Sequence, residues 1–162
     1  MLLNILTEPN SLLHQKAKEI DLASCNMDEL KNIAANMIET MYLKDGVGLA
    51  APQVGHSVRL CVISKNYALD QSRDLVLINP QWSKLSISKA YDEEGCLSVP
   101  NVYGQVKRYK KIKVKALAPD GRPLEFGAEK FFARIIQHEV DHLDGVLFIE
   151  KAKNIHGLEK NL

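Results

Sequence analysis

The segment His138-Glu139-Val140-Asp141-His142 fits the pattern H-E-x-x-H. On a helix, about 100° per residue leaves His138 and His142 about 40° apart on one face. Both imidazoles can then reach one metal ion, with Glu139 beside them as a base for hydrolysis. The competing reading is a pair of histidines held by hydrogen bonds inside a core helix. Cost weighs against it, because two His and a Glu in an otherwise apolar helix are expensive to bury without a function.

A catalytic ion of the zinc type needs a third protein ligand and keeps one position open for water. Downstream the chain offers Glu150, His156 and Glu159, and H-x-x-G-x-x-H fails because Phe148 stands where the third His would fall. An upstream donor is more attractive. Cys96, in Glu93-Glu94-Gly95-Cys96-Leu97-Ser98, would supply a soft thiolate suited to a transition metal. A lone cysteine is more often a small buried hydrophobe, which is the reading for Cys25 and Cys61.

A third segment, Gly46-Val47-Gly48-Leu49-Ala50-Ala51-Pro52-Gln53, has glycines at alternate positions. They allow another backbone to approach closely, as an extended peptide does when it pairs with a strand edge. Gln53 would then present an amide N–H to a developing oxyanion. A helix cap followed by a tight loop into a strand explains the same residues equally well.

These segments need elements to position them. Leu30, Ile33, Ala34, Met37, Ile38 and Met41 form the apolar stripe of an amphipathic helix over residues 27–43, with Met37 and Met41 in the core. Asn26 and Glu29 resemble a capping box at its start, and Gly46 lies just past its end. β-type runs follow at Val58–Ile63, Leu75–Ile78, Leu85–Tyr91, Ile112–Ala118 and Leu124–Phe126, the last two joined by the turn Pro119-Asp120-Gly121. Ala128–Leu143 is apolar on nearly every side and reads as a buried helix packed on the strands. With no alternating strand–helix series, the fold class is α+β with a mixed or antiparallel sheet.

The 162 residues, 46% hydrophobic and 25% charged, suit one domain over 1–162 rather than two, and exclude disordered or collagenous classes. A net charge of +1 creates no global field toward nucleic acid or an anionic membrane, and no apolar run approaches the roughly 20 residues of a membrane span. The start lacks a basic region and a cleavage site, and the three cysteines are odd in number and widely spaced. A reducing cytoplasm is the expected location.

Taken together, GVGLAAPQ at 46–53, EGCLS at 94–98 and QHEVDHLDG at 137–145 resemble the peptide deformylase family, in the same order and with similar spacing. The resemblance covers essentially the whole chain. It implies an α+β fold with sheets around a central H-E-x-x-H helix, and hydrolysis of the N-formyl group from the formyl-methionine of nascent polypeptides, with release of formate. By the same resemblance Cys96, His138 and His142 look like the metal ligands and Glu139 like the general base. Gln53 and the backbone N–H of Leu97 look like the oxyanion donors, and Gly48 like a main-chain partner of the substrate. Val47, Ile135 and Arg134 are expected around the methionine side chain, Arg134 on the rim with its head in water, and Gly46 and Gly95 beside the substrate. Spacing alone suggests zinc. The resemblance implies one Fe(II) per chain, with Zn, Ni or Co as alternatives.

Glu94 with Arg108 is expected to hold the Cys96 loop and the ligand histidines. Some family members carry Arg seven residues after the ligand Cys, where this chain has Tyr103. Others have a longer C-terminal helix that docks on the ribosome. The expected partners are formylated nascent peptides and the ribosome near its exit tunnel, with no DNA and no membrane. The run Lys107–Lys115 reads as a strand with one solvated lysine face, and alternatively as a ribosomal RNA contact. A general H-E-x-x-H zinc peptidase is the second functional reading, and a binding protein without catalysis the third.

Overall fold

The computed structural model describes residues 1–157. Its first helix, α1 (Met27–Leu43), starts where Asn26 accepts the N–H groups of Asp28 and Glu29 through its side chain. It ends in a Schellman turn: Gly46 N–H donates to the Met41 carbonyl and Asp45 N–H to that of Tyr42. The left-handed residue of this turn is Asp45, at φ 55°, and not the glycine next to it. At Gly46 the matter is crowding: a Cβ there would lie 3.0 Å from Leu97 Cδ1, so that a larger residue makes this side chain give way.

Among the described residues eight strands follow: β1 (Gly48–Ala50), β2 (Leu60–Ile63), β3 (Leu75–Lys84), β4 (Lys89–Cys96), β5 (Val99–Tyr109), β6 (Lys111–Leu117), β7 (Pro123–Glu129) and β8 (Lys153–Gly157). They form a five-stranded sheet in the order β1-β2-β3-β6-β7 and a three-stranded sheet β4-β5-β8, with neighbouring strands antiparallel throughout. The second helix, α2 (Lys130–Leu143), lies between them.

The continuous apolar run Leu60-Cys61-Val62-Ile63 is buried on both faces because a helix covers each. Leu60 and Val62 join Met37 and Met41 of α1, while Cys61 and Ile63 join Ile136, Val140 and Leu143 of α2. A third apolar cluster, Leu13, Val99, Val106, Leu147 and Phe148, seats the smaller sheet. The fold is thus α+β with two antiparallel sheets around a central helix.

Several expected boundaries move. Leu85–Ser88 is a connection and the strand begins at Lys89; Ile87 is 85% exposed, since its apolar side chain has no layer above it. The long strand β5 has no counterpart in the expected runs, because Arg108 occupies one of its buried positions and breaks the apolar alternation. Val58 stands outside β2 in a bridge to Lys18. Helix α2 begins two residues later than expected, and Phe131 is half exposed. Cys61 is buried as expected, and burial pushes its thiol pKa well up; Cys25 is only half-buried. In β6 the lysines face outward and Ile112, Val114 and Ala116 inward, while Lys107 belongs to β5.

The end of α2 is fixed by a second Schellman turn, with Val146 N–H on the Asp141 carbonyl and Gly145 N–H on that of His142. Gly145 takes φ 75°, and a Cβ there would sit 2.7 Å from the His14 backbone. Strain and collision act together at this position. Gly145→Ala is therefore expected to lower stability by about 2–3 kcal/mol, measured by urea unfolding.

Candidate metal centre and active-site cleft

Helix α2 carries His138 and His142 one turn apart, and Cys96 meets them from the end of β4, where the register with β5 shifts between Gly95 and Cys96. Cys96 Sγ lies 3.2 Å from His142 Nε2, which lies 3.2 Å from His138 Nε2, and the three donor atoms are all within 4.8 Å of one another. Around a tetrahedral ion, thiolate and imidazole donors stand about 3.3–3.6 Å apart, so this group can hold one metal ion. His138 Nδ1 is 2.8 Å from Glu94 Oε1, so that with an ion on Nε2 the remaining ring proton would sit on Nδ1. Burial, with the neighbouring His138 charge, holds His142 well below the ordinary imidazole pKa and keeps it in the neutral, ligating form.

Glu139 is 3% exposed, and its Oε2 has no hydrogen-bond partner among the described residues. Burial raises its pKa to about 7, against the pull of His138, the range of a base working at neutral pH. Strand β1 crosses directly over it. A Cβ at Gly48 would lie 2.5 Å from Glu139 Oε1, so glycine at this position makes room for the protein's own carboxylate. The far side of β1 is the free edge of the five-stranded sheet.

Gln53 is 2% exposed and clamped at both ends of its amide. Its Oε1 accepts Ala50 N–H at 2.9 Å; its Nε2 donates to Ser98 Oγ at 3.1 Å and lies 3.4 Å from Cys96 Sγ. Leu97 occupies the turn between β4 and β5 and packs its side chain toward α1. A cleft of about 550 Å3 opens over this centre, and every residue expected as a metal ligand, catalytic group or substrate contact, His142 excepted, lines it. Val47 and Ile135 form apolar wall, joined by Phe131, which the sequence reading did not single out.

Arg134 differs from expectation. It is 6% exposed rather than solvated at the rim, and its guanidinium donates to Glu94 Oε2 at 2.7 Å, to the Val106 carbonyl at 2.8 Å and to the Ala90 carbonyl at 2.8 Å. A buried guanidinium keeps its charge only where such acceptors surround it. Glu94 is the hub, forked by Arg108 through Nε and Nη2 at 2.9 Å each. Burial works against its charge, but Arg108 and His138 outweigh burial and hold the carboxyl far below the usual range. Arg108 continues to Asp141, which Lys151 reaches from outside. Asp141 sits inside the H-E-x-x-H segment at i+7 from Arg134, a helical spacing that could have revealed it.

The downstream donors stay away from the histidine pair. Glu150 accepts Leu147 N–H, His156 pairs with Glu93 at 3.0 Å on the surface, and Glu159 lies outside the described residues. Tyr103 also lines the cleft, its ring set so close to Gly95 that a Cβ there would lie 2.7 Å away. Because Glu94 neutralises two buried guanidinium groups, Glu94→Ala is expected to cost about 3–5 kcal/mol in urea unfolding of the metal-free protein.

Comparison with known proteins agrees with this geometry. The family model for polypeptide deformylase matches residues 2–157. A peptide deformylase of Pelotomaculum thermopropionicum is 46% identical over 147 residues, 91% of this chain and 89% of that protein. Peptide deformylase 2 of Gloeobacter violaceus is 42% identical over 152 residues, 94% and 80% respectively. Among solved structures, the Thermotoga maritima peptide deformylase superposes with a TM-score of 0.86 at 37% identity, covering 94% of this chain and 99% of that one. The Met-Ala-Ser-bound class I type b peptide deformylase of Acinetobacter baumannii gives 0.86 at 36% identity, with coverage of 93% and 98%. The chain belongs to the polypeptide deformylase family, metal-dependent hydrolases that remove the N-formyl group from nascent polypeptides.

Proposed function

We propose that Cys96, His138 and His142 hold one divalent ion, that Glu139 is the general base, and that Gln53 and Leu97 N–H are the oxyanion donors. The observation that carries this reading is Glu139, a buried carboxylate with an unpartnered oxygen beside a Cys/His/His group at the floor of a cleft. The ion supplies Lewis acidity when bound, lowering the pKa of a water and polarising the formyl carbonyl. Fe(II) is the proposed native ion, with Zn, Ni or Co able to use the same donors.

Glu139 takes the proton of the attacking water and returns it to the leaving amine, which becomes the free N-terminus. As the formyl carbon turns tetrahedral, negative charge grows on its oxygen. The Gln53 N–H that faces Cys96 Sγ at 3.4 Å makes a long contact there and is the one available to that oxygen. Gly48 on the free edge of β1, with Gly46 and Val47 just before it, takes the substrate backbone in extended form, and Gly95 stands on the opposite lip. Val47, Ile135 and Phe131 receive the methionine side chain.

Residues 1–162 are read as one catalytic domain, supported by a family match over 2–157. The proposed location is the cytoplasm, where formylated chains emerge, with the ribosome as the proposed docking partner. No helix among the described residues is long and apolar enough to cross a membrane. The general peptidase reading is not favoured, since the relatives found are deformylases.

Formate release from formyl-Met-Ala-Ser by anaerobic, Fe(II)-loaded protein tests the reading. Release is expected from the formylated peptide, with no internal cleavage of the unformylated one. Glu139→Gln is expected to retain metal and lose at least about 10²-fold in turnover, and Cys96→Ala to lose the metal. Gln53→Ala is expected to cost about 10²–10³ in kcat. Internal cleavage, or full turnover in Glu139→Gln, would sink the assignment.

A further inference from the structure

The ligand group is assembled from two bodies. His138 and His142 ride on α2, whereas Cys96 arrives on the three-stranded sheet, and no covalent link short of the intervening chain fixes their separation. Arg134 stands one helical turn before His138 and reaches across that gap. Its Nη2 donates to the Ala90 carbonyl of β4, and its Nη1 to the Val106 carbonyl of β5 and to Glu94 Oε2. One planar group thereby ties helix to both strands of the Cys96 hairpin and braces the carboxylate that orients His138.

We propose that Arg134 is a positioning residue that sets the spacing between Cys96 and the histidine pair, and so prepares the site for its ion. The proposal rests on Cys96, His138 and His142 being the ligands. It replaces a substrate contact at the rim with a structural strut behind the centre: the guanidinium has no exposed head to offer a peptide. Lysine cannot do the same work, because a single ammonium on a flexible stem cannot span two strand carbonyls and a carboxylate held in fixed directions.

The structure also provides a way to test this. A second cavity of about 410 Å3 lies on the far side of Arg134, lined by Ala90, Tyr91, Arg108 and Lys110 and sharing with the catalytic cleft the residues Phe131 and Arg134. Removing the Arg134 side chain opens a guanidinium-sized space that a small cation can enter from solvent through this cavity.

The parent, Arg134→Ala and Arg134→Lys are loaded with Co(II), whose bond to a thiolate gives a charge-transfer band, and metal affinity is measured by chelator competition. Arg134→Ala is expected to bind Co(II) about 10–100-fold more weakly, with a weakened thiolate band and a fall in kcat at nearly constant KM. Arg134→Lys is expected to remain close to Ala, and carries the same test should the alanine variant fail to fold. Low-millimolar guanidinium is expected to restore the band and the affinity in Arg134→Ala only. An unchanged band and affinity, with KM raised instead, would overturn the proposal in favour of a substrate contact; a lowered melting temperature alone would overturn it in favour of mere packing. A parent lacking the thiolate band would overturn the ligand assignment, and the role of Arg134 with it.

Discussion

The buried Glu94 carboxylate holds this site together. Two arginines and the Nδ1 of His138 occupy its two oxygens, and these partners come from two places in the fold: Arg108 from β5, Arg134 and His138 from α2. Any one of these charges would be costly to bury alone, by several kcal/mol even after relaxation. Together they define the angle at which the small sheet meets the helix. The apolar clusters could tolerate a range of such angles, since hydrophobic contact is not directional; a forked guanidinium on a carboxylate tolerates very little.

The same crowding explains the glycines of the 46–53 segment. Glu139 is buried deeply enough for its pKa to rise to about 7, and the element that covers it is β1. Only a residue without a side chain lets that strand pass over the carboxylate, which is why Gly48 stands there. The covered carboxylate keeps one oxygen with no hydrogen bond among the described residues. One face of β1 thus covers the Glu139 carboxylate, while its outer edge pairs with no other strand among the described residues.

Much of this was legible in the residues. The 3.6-residue stripe located α1 to the residue, and the H-E-x-x-H spacing placed both histidines on one face of α2. The pairing of Glu94 with Arg108 was also foreseen, and the structure has it. What escaped notice follows a single cause: charged residues facing inward look like surface residues in a one-dimensional pattern. Arg108 hid the alternation of β5, and Arg134 was assigned to the rim because an amphipathic side chain between apolar neighbours ordinarily sends its head to water. Leu85 and Ile87 misled in the opposite way, being apolar and β-prone in an exposed segment held by two backbone bonds, Leu85 N–H on the Lys111 carbonyl and Lys110 N–H on that of Ser88. Strand propensity is largely a statement about neighbours, and a neighbour is what those residues lack.

Helix α2 shows why the centre and the stability of the chain are coupled. Arg134, Gln137, Glu139, Asp141 and His142 are all buried in a helix that is also the middle of the core. Gln137 is satisfied by both backbone groups of Tyr109, and Arg134 and Asp141 by the ion network. Glu139 Oε2 and His142 Nδ1 remain without partners among the described residues. A divalent ion held by Cys96, His138 and His142 would stand beside the Glu139 carboxylate, and it would bind only the arrangement in which β4 and α2 are already docked. Ligand binding restricted to the folded state adds its free energy to folding. The buried Glu139 oxygen without a partner therefore costs the protein stability, and the ion network around Glu94 is what holds β4 and α2 together around it.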